Sequence, residues 1–339
     1  MIEYEIEVPE GLEQLAEQEL IQQLESVHIV ARHTGALRID YRGKPKALWR
    51  LRRCLAVYSV ERFAVPRPKA LLGHEHLSRL KRQIQAVLNL SPTERWQTLH
   101  LSAAGAESSV LQRLRQELSQ FSGLRDDASS GDLWIRLIRA EEAWQTLVRI
   151  TPRPLVTRDW RRVNYEGALN AAVASAMIGL AQPQAHENLL NIACGSGSLL
   201  IESCFSYSAQ RRLGIDYAPH ALSAATTNIQ AAQRPQMIDL LQADATCLPF
   251  APASFEILVA DLPFGQRIGS TAENVQLYPA VLREAARVAK ASARFVLITH
   301  AIQLMSKLLS ETSDWQCISE TKVTLRGLHP RIYLLRRHP

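Results

Sequence analysis

Cysteine is sparse in this 339-residue chain: Cys54, Cys194, Cys204, Cys247 and Cys317 are scattered, with no Cys-x-x-Cys pair and no histidine cluster at metal-ligand spacing. Neither a disulfide scaffold nor a zinc site is supported, and no metal is expected. Glycine (15) and proline (16) are also few, and no low-complexity run occurs, which excludes a collagen-like, linker-like or largely disordered chain. No stretch approaches the roughly 18 uncharged apolar residues of a membrane span. The opening Met1-Ile2-Glu3-Tyr4-Glu5-Ile6-Glu7 carries acids where a secretory signal needs a basic start and an apolar run. The expectation is a soluble cytoplasmic protein without membrane association. Charge of one sign is lacking overall, with a net charge of only +6, yet Arg42 to Lys69 holds nine Lys and Arg against the single acid Glu61. Such a patch can meet phosphates, although a charged run is more often a solvated face.

What is present is an ordinary globular composition, 47% hydrophobic and 21% charged, long enough for two or more cores. Residues 1–65 read as βαββαβ. Leu12, Leu15, Ala16, Leu20 and Leu24 recur at helical spacing, Leu37 and Ile39 alternate with Arg38 and Asp40, and a helix is expected over Lys46–Leu55. That order is ferredoxin-like. Pro66 and Pro68 mark a boundary, and a second α+β unit follows over 66–155, closed by Pro152 and Pro154. From residue 160 to 339, short apolar strands alternate with alanine-rich helices, so an α/β domain with a parallel sheet covered on both faces is expected.

The chemistry concentrates in this last domain. Asn191-Ile192-Ala193-Cys194-Gly195-Ser196-Gly197 follows a predicted strand and opens a predicted helix, where glycines let a ligand approach the backbone and leave amides free. The next strand ends at Asp216, about 20 residues on, where a carboxylate can accept from a ribose diol. The third ends at Gln242-Ala243-Asp244, whose carboxylate can hold an adenine amino group. Each acid alone is more often a capping or surface residue; the order of the three raises their weight. Leu199 and Leu200 stand where a dinucleotide fingerprint would continue to its third glycine, which disfavours NAD. Asp261-Leu262-Pro263-Phe264 ends the fourth strand at the same edge of the sheet.

The C-terminal half resembles S-adenosylmethionine-dependent methyltransferases of the amino-methylating type, which carry an [Asp/Asn]-x-Pro-[Phe/Tyr] motif. The whole chain resembles the THUMP-domain tRNA guanine-N2 methyltransferases. The likeness is carried by Val8-Pro9-Glu10-Gly11-Leu12-Glu13, Thr151-Pro152-Arg153-Pro154-Leu155 and Arg158-Asp159-Trp160-Arg161. It continues through Cys194-Gly195-Ser196-Gly197-Ser198-Leu199-Leu200-Ile201-Glu202, Asp261-Leu262-Pro263-Phe264-Gly265-Gln266-Arg267 and Gly327-Leu328-His329-Pro330-Arg331-Ile332-Tyr333. The resemblance implies a Rossmann-like class I methyltransferase domain preceded by ferredoxin-like and THUMP-like units. It implies S-adenosylmethionine as cofactor and tRNA as partner, with the N2 amine of an acceptor-stem guanosine, guanosine 6, as target; the oligomeric state is not legible in the sequence, and a monomer is the expectation. Asn191 stands where the family commonly has Asp, and Ser198 replaces the common Thr.

On this reading Asp261, Leu262, Pro263 and Phe264 form the catalytic loop. Asp261 and the Leu262 carbonyl accept the amine hydrogens, Pro263 fixes the turn and Phe264 stacks on the base. Asn191, Cys194, Gly195, Ser196, Gly197, Asp216, Asp244 and Asp261 line the cofactor site. Arg50, Arg52, Arg53, Arg158, Arg161 and Arg267 are expected at phosphates, with interdomain ion pairing an equal alternative for Arg158 and Arg161 and helix capping for Arg267. The catalytic tetrapeptide has no cysteine, which disfavours cytosine-C5 chemistry. The sequence itself points to no partner for His300 or His329, which read as structural, and Trp49, Trp96, Trp134, Trp144 and Trp160 read as core or interface anchors. Two rivals stay open: methylation of an adenine N6 amine in RNA or DNA, and an RNA-binding protein without catalysis. A nicotinamide oxidoreductase is a distant third.

Overall fold

The computed structural model describes residues 2–92, 95–105, 108–263, 271–325 and 327–338. It divides into two compact units, Met1–Val8 with Ala16–Val156, and Pro9–Leu15 with Thr157–Pro339.

The first unit runs β1 (Ile2–Glu7), α1 (Glu13–Gln23), β2 (Val27–His33), β3 (Ala36–Tyr41), β4 (Ala56–Phe63), α2 (His74–Leu88), β5 (Thr98–Ala103), α3 (Ser109–Ser122), β6 (Arg125–Asp126), β7 (Leu133–Ala140) and β8 (Ala143–Arg149). Its eight strands form one sheet in the order β2-β3-β1-β4-β8-β7-β5-β6. The expected boundary after residue 65 does not interrupt this sheet, because β4 pairs with β1 on one side and β8 on the other. Pro66 and Pro68 lie beyond the end of β4, where a missing amide donor breaks no ladder. Period-2 alternation turns Tyr4, Ile6, Leu37 and Ile39 into a core that also holds Ala16 and Leu20 of α1, Leu80 and Ile84 of α2, and Leu114 and Leu118 of α3. The helix expected over Lys46–Leu55 is instead a 3-10 turn, Pro45–Arg50, followed by extended chain. Leu48 in this turn and Leu51, already extended just after it, are both buried in the core.

The second unit runs α4 (Ala171–Ala181), β9 (Asn188–Ile192), α5 (Ser198–Ser206), β10 (Arg211–Asp216), α6 (Pro219–Ala231), β11 (Asp239–Gln242), β12 (Phe255–Asp261), α7 (Thr271–Val288), β13 (Ala289–Thr299), α8 (Ile302–Glu311), β14 (Trp315–Lys322) and β15 (Arg331–Arg337). The sheet order is β11-β10-β9-β12-β13-β15-β14. Its first five strands are parallel, and β15 inserts antiparallel between β13 and β14. Near-continuous apolar runs in β9 and β12 fit strands buried on both faces. Helix α4 is apolar all round and correspondingly buried, packed on α5 and β13. This is the Rossmann-like α/β arrangement anticipated from the sequence. From β9 the chain steps out to β10 and β11, then returns to β12 on the other side of β9. That reversal opens a crevice beyond the carboxyl ends of β9 and β12, the place where open parallel sheets bind ligands.

Candidate active site

The loop after β9 is shaped by positive backbone angles: φ is 50° at Ala193, 52° at Gly195 and 82° at Gly197. A Cβ at Gly197 would also stand 3.4 Å from the Ala225 side chain of α6, so a larger residue there is both strained and crowded. The loop is tied at both flanks. Asp216, at the end of β10, accepts the backbone N–H of Gly195 on Oδ2 (2.9 Å) and that of Ala218 on Oδ1 (3.0 Å). Asn228 of α6 donates Nδ2–H to the Ser196 carbonyl (3.2 Å), while its Oδ1 accepts the N–H groups of Arg162 (2.9 Å) and Val163 (3.0 Å). Each Asp216 oxygen keeps a lone pair for a further donor. Asp244 accepts the N–H and hydroxyl of Thr246 on Oδ1 (2.8 and 2.7 Å), leaving Oδ2.

Asn191 is fully buried, and its Nδ2 donates to the carbonyls of Ile192 and of Val259 on β12, both at 3.2 Å. Those two bonds orient the amide and leave Oδ1 buried with no partner among the described residues, and the Ser196 hydroxyl is in the same position. These two polar atoms, one near the end of β9 and one on the loop after it, each cost about 1–3 kcal/mol unless a ligand satisfies them. Burial, with the Asp216 charge, pushes the Cys194 thiol far above its ordinary value, so it is no nucleophile.

The β12 end lies beside this loop, with Val259 and Ala260 in register with Asn191 and Ile192. Asp261 accepts no hydrogen bond from any described residue, and burial alone pushes its carboxyl up from 3.8 to about 7. The turn that follows is held from three directions. Leu262 donates its N–H to Ile298 of β13 (3.1 Å), and the Pro263 carbonyl accepts from Asn274 Nδ2 (3.0 Å) and the Tyr278 hydroxyl (2.8 Å), both on α7. Tyr278 Oη lies 2.6 Å from Thr299 Oγ1, which in turn accepts the Ala301 N–H (2.9 Å). Since the Tyr278 proton goes to Pro263, the Thr299 hydroxyl donates to Tyr278. The chain of donors thus runs one way, from Ala301 through Thr299 and Tyr278 to Pro263. Phe264 and Arg267 lie outside the described residues.

Residues 158–331 match the family described as UPF0020, RMKL-like, methyltransferase domain. The chain belongs to this family. Among curated relatives of this UPF0020 member is the Bos taurus protein named tRNA (guanine(6)-N(2))-methyltransferase THUMP3, 34% identical over 194 residues, covering 53% of this chain and 38% of that protein. Another is the Mus musculus U6 snRNA (guanine-N(2))-methyltransferase THUMPD2, 27% identical over 145 residues, covering 43% of this chain and 26% of that one. The chain therefore spans less than two thirds of the length of these relatives. The solved structure of TrmN from Thermus thermophilus superposes with a TM-score of 0.77 over 99% of this chain and 100% of that one, at 23% identity, a likeness of fold.

In this UPF0020 chain several well-placed residues carry no sequence signal of their own. Tyr165 lies against Gly195, its Cε1 4.0 Å from where a Cβ would stand, and stacks on His220 with centroids 5.8 Å apart. Tyr217, directly after Asp216, exposes 74% of its surface. Asn228, Asn274, Tyr278 and Thr299 are likewise silent in the sequence.

The structure separates the basic residues. Arg50 is exposed and Arg52 half-buried. Glu19 of α1 accepts the backbone N–H of both Arg52 and Arg53, each at 2.9 Å. Arg53 is only 4% exposed, which corrects its reading as a phosphate contact. Arg158 is corrected in the same way. Its guanidinium lies 2.9 Å from Glu202 Oε1 in a pair with side-chain exposures of 6% and 0%, internal to the second unit. Arg161 donates to the Leu169 carbonyl (2.8 Å) and Ser198 Oγ (3.0 Å), joining the segment before α4 to the start of α5.

Proposed function

We propose that the chain methylates the exocyclic N2 amine of a guanosine in tRNA, guanosine 6 of the acceptor stem, with S-adenosylmethionine as donor. It acts as a cytoplasmic monomer on this reading. The observation that carries the proposal is Asp261, a desolvated carboxyl with no hydrogen-bond partner among the described residues, at the end of β12 beside the glycine loop of β9. Relatives named for two different RNAs share guanine N2 as the methylated atom, which supports the choice of base over the choice of RNA.

The residues fit a nucleoside carrying an amino-acid tail. Asp216 has a lone pair on each oxygen for the ribose diol, Asp244 Oδ2 suits an adenine amine, and Tyr217 offers an exposed ring for stacking. The orphaned Asn191 Oδ1 and Ser196 Oγ would find partners in the polar tail. When bound, S-adenosylmethionine supplies an electrophilic sulfonium methyl.

The guanine amine is a weak nucleophile because its lone pair is delocalised into the ring. The Asp261 carboxylate and the Leu262 carbonyl each accept one amine hydrogen, which favours a pyramidal nitrogen with the lone pair aimed outward. Positive charge grows on nitrogen as the new bond forms, so these acceptors bind the transition state more tightly than the substrate. A carboxyl poised near 7 then takes the proton that the nitrogen sheds. The target base leaves its stack to reach this turn.

The test is to incubate the purified protein with S-adenosylmethionine and unmodified tRNA, digest the RNA and identify methylated nucleosides by mass spectrometry. N2-methylguanosine is expected. Its appearance on a small nuclear RNA but not on tRNA would move the substrate assignment, and its absence from both would overturn the proposal.

A further inference from the structure

The search for a base-reading group turns on Asn274. It is 1% exposed on the first turns of α7, and its Nδ2 donates to the Pro263 carbonyl. A carbonyl can only accept, so this bond fixes which end of the amide points where. Oδ1 is then left buried with no partner among the described residues. Native proteins seldom leave such an acceptor unsatisfied. The neighbouring Tyr278 shares the same carbonyl and is close enough to Asp261 to feel its charge, which, after burial, helps push the tyrosine up to about 12. The orphaned oxygen therefore belongs to the same small group of atoms as the proposed amine acceptors.

The hydrogen-bonding character of that group is one-sided: the Asp261 carboxylate, the Leu262 carbonyl and Asn274 Oδ1 all accept. On its Watson–Crick edge guanine carries three N–H donors, two on N2 and one on N1. Adenine carries two on N6, and its N1 is an acceptor. We infer that Asn274 is the specificity-determining residue of this site, its Oδ1 accepting the N1–H of guanine and meeting an unpaired lone pair when adenine is offered. The inference rests on the guanine-N2 reading above and adds to it the atom that excludes the adenine rival. Discrimination by a buried acceptor is effective because the wrong base leaves two acceptors facing each other with no water between them.

The test compares kcat/KM for an RNA carrying guanosine at the mapped target position with the same RNA carrying 2-aminopurine there. The analogue keeps the N2 amine but has an acceptor at N1. The wild-type protein is expected to prefer guanosine by at least roughly tenfold. Asn274→Leu is expected to shrink that preference by about tenfold, through loss of the guanosine rate. Asn274→Asp, which retains an oxygen, keeps the preference even though overall turnover falls. Any change in the hold on Pro263 slows both substrates alike and cancels in the ratio. A wild-type protein that methylates both bases equally overturns the inference before any variant is made. So does an unchanged preference in Asn274→Leu while wild-type N2-methylation of guanosine persists, which leaves the functional reading intact. No N2-methylguanosine from the wild-type protein would sink both.

Discussion

Replacing Asp261 by Asn tests the desolvated carboxyl directly, through stability as well as activity. A carboxyl displaced from 3.8 to about 7 binds its proton in the folded state where the unfolded chain has released it. Folding stability therefore falls as pH rises between these two values and levels off above the higher one. Over the whole interval the loss is roughly 4 kcal/mol, and between pH 5 and pH 7 it is roughly 2 kcal/mol. The Asn side chain does not titrate, so the stability of Asp261→Asn relative to the wild type should rise by roughly 3 kcal/mol on going from pH 5 to pH 8. Denaturant unfolding at the two pH values, without added cofactor, reads this as a difference of differences in which all other titrating groups cancel. Activity should move the other way: turnover falls by about 100-fold or more because the proton acceptor is gone. The wild-type kcat/KM should rise with pH through a single ionisation near 7, since the carboxylate is the working form. A stability gap that stays constant from pH 5 to 8 would refute the raised carboxyl. Full turnover in the variant would refute its role.

Four smaller perturbations separate ligand contacts from scaffold. Asp216→Ala removes an acceptor that also anchors Gly195, and calorimetry should find cofactor affinity weakened by about tenfold or more; an unchanged Kd rules out the ribose assignment. Arg158→Ala strands Glu202 without its buried partner and should cost about 3–5 kcal/mol in denaturant unfolding, whereas undiminished stability with weaker RNA binding would restore it as a phosphate contact. Arg50→Glu, at an exposed position, should weaken tRNA binding and lower the slope of log affinity against log salt by about 1, and equal affinity at all salt concentrations removes Arg50 from the interface. Tyr278→Phe cuts the donor chain at Pro263; kcat should fall while cofactor Kd holds, and a matching loss in both would mean general disorder of the unit.

The pattern of what was legible in the sequence follows from the range of each interaction. Strands and helices announce themselves through periods of 2 and 3.6, which are local: the strand that alternates at Leu37 and Ile39, the helix opened by the glycine motif and the strand ending at Asp216 all form, as Ala36–Tyr41, Ser198–Ser206 and Arg211–Asp216. Lys46–Leu55 has a helical composition, yet the chain turns extended at Leu51 while keeping that side chain buried, a tertiary outcome that propensity cannot announce. The two-residue β6 is too short to carry any period. Continuity of the first sheet rests on β4 meeting β8 more than 80 residues later, so a proline-marked loop looked like a domain boundary. The same logic sorts the site. The glycine loop and Asp216 are readable because strand, turn and acid follow one another along the chain. Asn274 and Tyr278 are not readable: on α7 they look like any buried face of a helix, and only the fold brings them to the Pro263 carbonyl. Sign of charge is similarly blind to burial. Arg50 and Arg53 are three residues apart in one basic run, but only the first faces solvent, so the run overstates the cations available to a phosphate backbone.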